Sequence, residues 1–402
     1  MMDAYIYDGL RTPFGRHAGK LASVRPDTLV SGVINALMEK SAFQPSEVED
    51  VIIGCTNQAG EDARNIARHA VLLSCLPVTT PGQTVNRLCS SGLAAVVDAA
   101  RAITCDEGDL YLAGGVESMS RAPFVFAKSE SPYSRELRVF DSTIGARFPH
   151  PQVIAKFGGD TMPETADNVA RELNISRADC DRFAAGSQAK YAKALADGFF
   201  VGELLPVAVP QGKKPPMLVD ADEHPRPESD YEALARLKPL TEGGVVTAGN
   251  ASGVNDGACM LLVGSGALRN KKGVEPLARV VASAAVGVEP RIMGVGPVGA
   301  IDKALKRARL SLKDVDIIEI NEAFASQMLG CLKLLNISFD DSRVNPNGGA
   351  IAVGHPLGAS GARLALTTAR QLQRSGGRYA VISLCIGMGQ GLAVVIENTN
   401  RG

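Results

Sequence analysis

The sequence predicts an α/β protein built from two similar halves, with a separate lobe inserted between them. Three observations carry that expectation. An ordered succession of helical and strand-like runs near the start of the chain recurs near its end. The apolar runs are short, β-branched and bounded by polar residues, as buried parallel strands are. The stretch between the two copies has a different character, rich in proline and charge.

The elements follow in parallel. A helical pattern through Ala36-Leu37-Met38 leads, by way of Gln44-Pro45-Ser46, to a strand-like run from Val48 to Gly54. Its counterpart passes through Ala304-Leu305 and Ser311-Leu312-Lys313 to a run from Val315 to Ile320. Next, Cys89-Ser90-Ser91-Gly92 opens an apolar helix in the first half, and Gly358-Ala359-Ser360-Gly361 opens one in the second. Each helix gives way to a further apolar run, Leu110 to Ala113 and Ala380 to Leu384. The halves are expected at residues 1–120, completed by about 247–272, and at 273–402, packed face to face. Residues 121–246 form the inserted lobe, where six of the chain's 22 prolines fall between Pro206 and Pro227. Proline has no donor for a sheet ladder, so this stretch is excluded from a central sheet. Helical patterns from Glu164 to Leu173 and from Arg177 to Leu195 give the lobe structure of its own.

Composition limits what such a chain does. Its 402 residues, 45% hydrophobic, are too many for one ordinary core. Lys plus Arg total 42 against 43 Asp plus Glu, a balance that offers no field for nucleic acid or an anionic membrane. The run from Ala380 to Ile396 is interrupted by Gly387, Gly389, Gln390 and Gly391, and reads as strand, turn, strand rather than a membrane span. The N-terminus lacks a basic region followed by an apolar stretch, which argues against a secretory signal, Asp3 and Asp8 argue against an Arg-rich transit peptide, and the last residues are not a peroxisomal tripeptide, so a cytoplasmic protein is expected. The eight cysteines and five histidines are scattered, with no CxxC pair, so neither a zinc site nor a disulfide framework is expected.

A few segments stand out as chemistry. Asn86-Arg87-Leu88-Cys89-Ser90-Ser91-Gly92 sets a cysteine at the start of a helix, where unpaired N–H groups would lower its pKa. A buried structural cysteine beside a Ser-Ser cap is the equal alternative. The Gly-rich turn from Asn345 to Gly358 carries one histidine, His355, and lacks the ending of a phosphate-binding P-loop. Cys385-Ile386-Gly387-Met388-Gly389 and Asn321-Glu322-Ala323-Phe324 each follow a strand-like run, where side chains project into clefts.

Together these motifs resemble the thiolases: Cys89 in Asn-Arg-x-Cys-Ser-Ser-Gly, Asn321-Glu322-Ala323-Phe324, Gly354-His355-Pro356 and Cys385-x-Gly-x-Gly, in that order. Gly114-Gly115-Val116-Glu117-Ser118-Met119-Ser120 and Thr247-Ala248-Gly249-Asn250-Ala251-Ser252-Gly253 belong to the same likeness, which runs along essentially the whole chain. The resemblance implies two βαβαβαββ-type halves in a five-layered αβαβα core, with a lobe that holds coenzyme A. It implies an acyl-CoA:acetyl-CoA acyltransferase in which Cys89 is the nucleophile, His355 the base that keeps it a thiolate, and Cys385 the second acid/base. It places one oxyanion site at His355 and a water held by Asn321, and another at the N–H groups of Cys89 and Gly387. It assigns Ser252 and Ala248 to the pantetheine arm, Met162, Met293 and Phe324 to apolar walls, and Arg226 to the nucleotide end. No permanently bound cofactor and no metal are implied; coenzyme A and acetyl-CoA are substrates, and a homodimer or homotetramer is expected. Met388 departs from the glycine many members carry there, which bears on the acyl pocket.

Related chemistries divide on single residues. A decarboxylating ketosynthase of the same fold lacks a second cysteine, and Cys385 argues against it. A non-catalytic thiolase-like lipid or CoA binder would have lost Cys89, His355 or Cys385. Asp222-Glu223-His224-Pro225-Arg226-Pro227, Leu237-Lys238-Pro239, Asp141 to Gly145 and Met162 to Asn168 narrow the resemblance to thiolases of 3-oxoadipyl-CoA in aromatic-compound breakdown. Acetoacetyl-CoA or a fatty 3-ketoacyl-CoA is the alternative substrate. A terminal carboxylate needs a cationic partner, for which Arg147 and Arg121 are candidates.

Overall fold

In the computed structural model, which describes residues 2–400, one mixed sheet of ten strands runs through both halves. The first half contributes β1 (Ala4–Arg11), β2 (Asp50–Gly54), β3 (Gly82–Val85), β4 (Leu110–Ser118) and β5 (Asn255–Ser265). The second contributes β6 (Ala278–Gly287), β7 (Ile317–Ile320), β8 (Tyr379–Ile386) and β9 (Gln390–Asn398); the two-residue strand Gly15–Arg16 pairs with β5. The order is β7-β8-β9-β6-β1-β5-β4-β2-β3. Leaving aside the extra edge strand β3, each half has the same plan, seen in β2-β4-β5-β1 and again in β7-β8-β9-β6. In both, the first two strands of the run are parallel and the rest antiparallel. Within the sheet, the halves join where Ala4, Tyr5 and Ile6 pair with Val280, Arg279 and Ala278.

Strand alternation sorts the core into layers. Val51, Ile53 and Leu112 face helices α1 (Pro26–Lys40) and α2 (Ile66–Leu73) on one outer side. Val281, Val381 and Val395 face α6 (Gly296–Ala308) and α7 (Ala325–Leu334) on the other. Between them, Ile52, Ala113 and Cys259 from the first half, and Ile317, Ile382 and Val394 from the second, enclose α3 (Ser91–Thr104) and α8 (Leu357–Ser375). The result is the five-layered αβαβα arrangement. The two central helices approach closely because the contact is lined by glycine. A Cβ on Gly92 would lie 2.5 Å from the carbonyl oxygen of Gly358, and one on Gly361 would collide with the backbone of Leu93. Leu93 and Leu364, both fully buried there, each stabilise the layer by about 2 kcal/mol.

The lobe carries α4 (Met162–Glu172) and α5 (Arg177–Ala196), and its Pro-rich stretch makes only a small hairpin, Val207–Gln211 with Lys214–Val219. Arg11 of β1, wholly buried, ties the lobe to the core. Its guanidinium donates to Glu203 at 2.6 Å and to both oxygens of Asp222 at 2.6 and 2.9 Å, and the Tyr191 hydroxyl donates to Asp222 at 2.8 Å. Among the described residues, no helix is long and apolar enough to cross a membrane.

Candidate active site

Cys89 does not lie in the helix, as its sequence setting suggests. The first helical residue is Ser91 with Ser90 as cap, so Cys89 sits on the tight turn before it. Leu88 there adopts φ +46°, and the Ser91 hydroxyl fixes the turn by accepting from the N–H of Arg87 at 2.8 Å and donating to the Leu88 carbonyl at 2.7 Å. The expected depression of the thiol pKa is also corrected. Burial pushes Cys89 up to about 11, outweighing the N–H groups of Gly387 and of Cys89 itself, which favour the thiolate.

The Gly387 N–H comes from the turn between β8 and β9, which brings Cys385 beside Cys89. Cys385 is buried, and desolvation first, then proximity to Cys89, raises its pKa well above the ordinary value. A Cβ at Gly387 would meet Leu88 at 3.4 Å, an ordinary contact. The position that demands glycine is 389, with φ +83° and the Val288 carbonyl in the way of any Cβ. Met388 itself adopts φ +63° and points outward, 67% exposed.

His355 is held at both ring nitrogens. Nε2 is 3.3 Å from Asn321 Nδ2, and Nδ1 is 2.6 Å from the Ser360 hydroxyl, which also lies 2.9 Å from the Pro356 carbonyl. A hydroxyl has one proton. With that proton on Pro356 and Asn321 donating to Nε2, the ring carries its hydrogen on Nδ1 and keeps a bare Nε2, the form that accepts a proton. Burial, then the charge of Arg363, pushes its pKa down to about 3, so the imidazole is neutral. The backbone N–H of His355 donates to Asn255 Oδ1 at 2.8 Å, a close approach that leaves no room for a Cβ at Gly354, where φ is +101°.

Asn321 follows β7, and its buried Oδ1 has no hydrogen-bond partner. Beside it Glu322 accepts from Ser187 at 2.6 Å, from Asn345 at 2.9 Å and from the Ile351 N–H at 3.2 Å, binding the lobe to the histidine loop. The same loop reaches the cysteine turn through Gly358, which packs on Gly92 and donates to buried Glu117 at 2.9 Å. Sequence reasoning missed Ser360, Glu117 and Asn255. Ser360 left a trace, five residues past His355 in the opening turn of a helix, and Glu117 lies in the motif from Gly114 to Ser120 without a role read for it.

Met162, Met293 and Phe324 meet Cys385, Ala166, Val246 and Ala251 in one apolar cluster. Ser252 joins its edge, donating its N–H to the Ala323 carbonyl at 2.9 Å, and Ala248 is exposed on the preceding turn. Arg226 stands apart from the cluster, exposed on the lobe, with His224 between it and Gly253. Of the candidate carboxylate partners, Arg121 is committed to both oxygens of Glu61 at 2.5 and 2.6 Å, and Arg147 donates to the carbonyls of Ser142 and Asn57.

The fold also gathers residues that spacing kept apart. Cys55, Asp62 and Glu117 bring their ligand atoms within 4.8 Å of one another. Their carboxylates already accept N–H groups from Thr56, Asn57 and Gly358, and from Ala59 and Gly60. Those hydrogen bonds anchor the backbone around the cluster.

A neutral imidazole with an unprotonated nitrogen, two thiols in proximity and a backbone N–H beside sulfur are groups of the kind acyl transfer to cysteine requires. Known proteins agree in kind. Residues 4–267 match the family model for the thiolase N-terminal domain, and residues 274–398 that for the thiolase C-terminal domain. The chain is 53% identical over 399 residues to a beta-ketoadipyl-CoA thiolase of Acinetobacter baylyi, covering 99% of this chain and 100% of that one. It is likewise 53% identical, with the same coverage, to the Escherichia coli protein named 3-oxoadipyl-CoA/3-oxo-5,6-dehydrosuberyl-CoA thiolase. Human mitochondrial 3-ketoacyl-CoA thiolase in complex with CoA superposes with a TM-score of 0.91 at 39% identity, covering 99% of this chain and 98% of that one. The motifs, the repeated halves and these likenesses have one meaning: the chain belongs to the thiolase family of acyltransferases.

Proposed function

We propose that this thiolase cleaves 3-oxoadipyl-CoA with coenzyme A to succinyl-CoA and acetyl-CoA, or runs the reverse Claisen condensation, through an acyl-cysteine at Cys89. The observation that carries the mechanism is the neutral His355, oriented by Ser360 and Asn321 with Nε2 unprotonated. Nε2 takes the Cys89 proton as sulfur attacks the 3-oxo carbon. The bond between C2 and C3 then breaks, and Cys385 delivers a proton to the acetyl-CoA enolate. The Cys385 thiolate next deprotonates coenzyme A, whose sulfur displaces the acyl group from Cys89, and His355 returns the proton to Cys89. With burial raising the Cys89 thiol and keeping the His355 imidazole neutral, His355 acts in this reading as proton acceptor during attack, not as the standing counter-ion of a thiolate. The Gly387 N–H and the Asn321 side chain are the fixed donors for oxyanions.

In this reading Met162, Met293 and Phe324 are the apolar walls beside the thioester, Ser252 and Ala248 border the pantetheine arm, and Arg226 serves the nucleotide end. The named substrates of the relatives support the dicarboxylic acyl chain. The open edge of β3 and the exposed Phe124 and Phe126 favour assembly into a homodimer or homotetramer. Eight free cysteines suit a reducing cytoplasm. The deciding experiment compares kcat/KM for CoA-dependent cleavage of 3-oxoadipyl-CoA, acetoacetyl-CoA and 3-oxopalmitoyl-CoA. The dicarboxylic substrate is expected to lead, and a neutral substrate in first place rejects it.

A further inference from the structure

Strands β4 and β5 of the first half meet the histidine loop of the second. Glu117 of β4 pairs with Gly257 of β5, and strand alternation puts Gly115, Glu117, Asn255 and Gly257 on one face. That face looks into the central layer, as Cys259 on it does, while Val116 and Ala258 face the outer helices. Glu117 and Asn255 are both buried, and neither has a step in the chemistry above.

The face is a seat for residues 354–358. Asn255 Oδ1 accepts the His355 N–H at 2.8 Å, and Asn255 is itself anchored by donation from Nδ2 to the Gly15 carbonyl at 2.9 Å. Its side chain fills the space that a Cβ on Gly354 would need. A Cβ on Gly257 would lie 3.2 Å from the Pro356 ring, and one on Gly115 only 1.9 Å from the Gly358 carbonyl oxygen. The loop therefore rests on glycine backbone between two polar side chains. At its far end Glu117 accepts the Gly358 N–H at 2.9 Å, a donor that the first turn of α8 leaves unpaired. The same carboxylate accepts the N–H groups of Thr56 and Asn57, both at 3.1 Å. The Thr56 carbonyl accepts from Asn86 Nδ2 at 3.1 Å, and Asn86 Oδ1 accepts the Leu88 N–H at 3.0 Å, on the turn that bears Cys89. One carboxylate thus joins the loop of the base to the turn of the nucleophile, and each link is a hydrogen bond.

We propose that Asn255 and Glu117 are positioning residues for acyl transfer, seating the loop of His355 on the first half of the molecule so that Nε2 meets the Cys89 sulfur. The proposal rests on the roles given above to Cys89 and His355. Asn255 acts through the histidine loop; Glu117 acts on both sides, because it also holds the segment behind the Cys89 turn. The N–H groups of Thr56, Asn57 and Gly358 converge on the two Glu117 oxygens. An amide in that place cannot satisfy them all, since its NH2 group accepts nothing.

The test is the rate of Cys89 acylation in the full-length enzyme, read by rapid quench and mass spectrometry with saturating succinyl-CoA or acetyl-CoA as donor. Burial pushes Glu117 up to about 7, so at about pH 8 its carboxylate is mostly ionised. Asn255→Ala and Glu117→Gln should each slow acylation by about ten- to a hundredfold. Each is then combined with His355→Ala. A residue that acts through His355 has nothing left to position there, so Asn255→Ala should cost less than about twofold in that background. Glu117→Gln should cost a smaller factor there than in the unaltered enzyme. Losses of the same factor in both backgrounds overturn the proposal, as do single variants at the unaltered rate. If Asn255→Ala does not fold, Glu117→Gln decides by the same comparison. Undiminished acylation in His355→Ala alone overturns the role given to His355, and the proposal with it.

Discussion

The hydroxyl of Ser360 lies 2.6 Å from Nδ1 of His355 and 2.9 Å from the Pro356 carbonyl, and donation to that carbonyl assigns the ring proton to Nδ1. Ser360→Ala removes that acceptor and frees the ring to adopt the other tautomer. A hydrogen bond of this kind is worth about 1.4 kcal/mol, so kcat should fall roughly tenfold while KM for coenzyme A stays near its original value. Steady-state kinetics read the split. A change in KM alone would show that Ser360 shapes binding and not the base.

Cys89→Ala should abolish turnover with little loss of stability, since a methyl replaces a small thiol. In the unaltered enzyme the thiol, pushed up to about 11, is mostly protonated at neutral pH. Its alkylation rate should therefore climb by about tenfold per pH unit through the neutral range and level off only in strong alkali. Acyl-CoA should protect it. A plateau already reached by neutral pH would mean that the thiolate is the resting form.

Cys385→Ser separates the two half-reactions. Acyl transfer from an acyl-CoA donor to Cys89 should survive in that variant, visible as an acyl adduct by mass spectrometry. Condensation, and exchange of the acetyl-CoA α-hydrogens with solvent, should be lost. Undiminished exchange would assign the α-proton to another group.

Arg11→Met should cost about 3–5 kcal/mol, because Glu203 and Asp222 are left as buried carboxylates without their partner. Urea unfolding followed by circular dichroism measures it. A loss under about 1 kcal/mol would show that the carboxylates simply take up protons, or that water reaches them.

Much of the fold and of the site is legible in the amino-acid sequence. The repeated helix-strand order foretells the shared plan of the halves, because buried parallel strands leave short apolar runs that survive as a pattern. Cys89, His355, Asn321 and Cys385 are legible through their motifs. What escapes are relations that only tertiary structure creates. The turn at Leu88, with φ +46°, holds Cys89 outside the helix, and no local pattern announces a non-glycine residue in that conformation. The N–H that favours the Cys89 thiolate against burial comes from Gly387, nearly 300 positions downstream. The demand for glycine at 389 and not at 387 depends on the Val288 carbonyl, from another strand end.

The place of β5 in the sheet has a consequence for synthesis on the ribosome. It lies between β1 and β4 and pairs with both, yet it is translated only after the entire lobe. Until residue 265 has left the exit tunnel, two apolar strands of the first half present open edges, and α3 waits still longer for α8 to cover it. Such long-range closure folds slowly and leaves sticky surfaces in view. A nascent chain halted near residue 250 should therefore be a strong client for chaperones that bind exposed apolar strands, whereas one halted after β5 should already have its first sheet zipped shut.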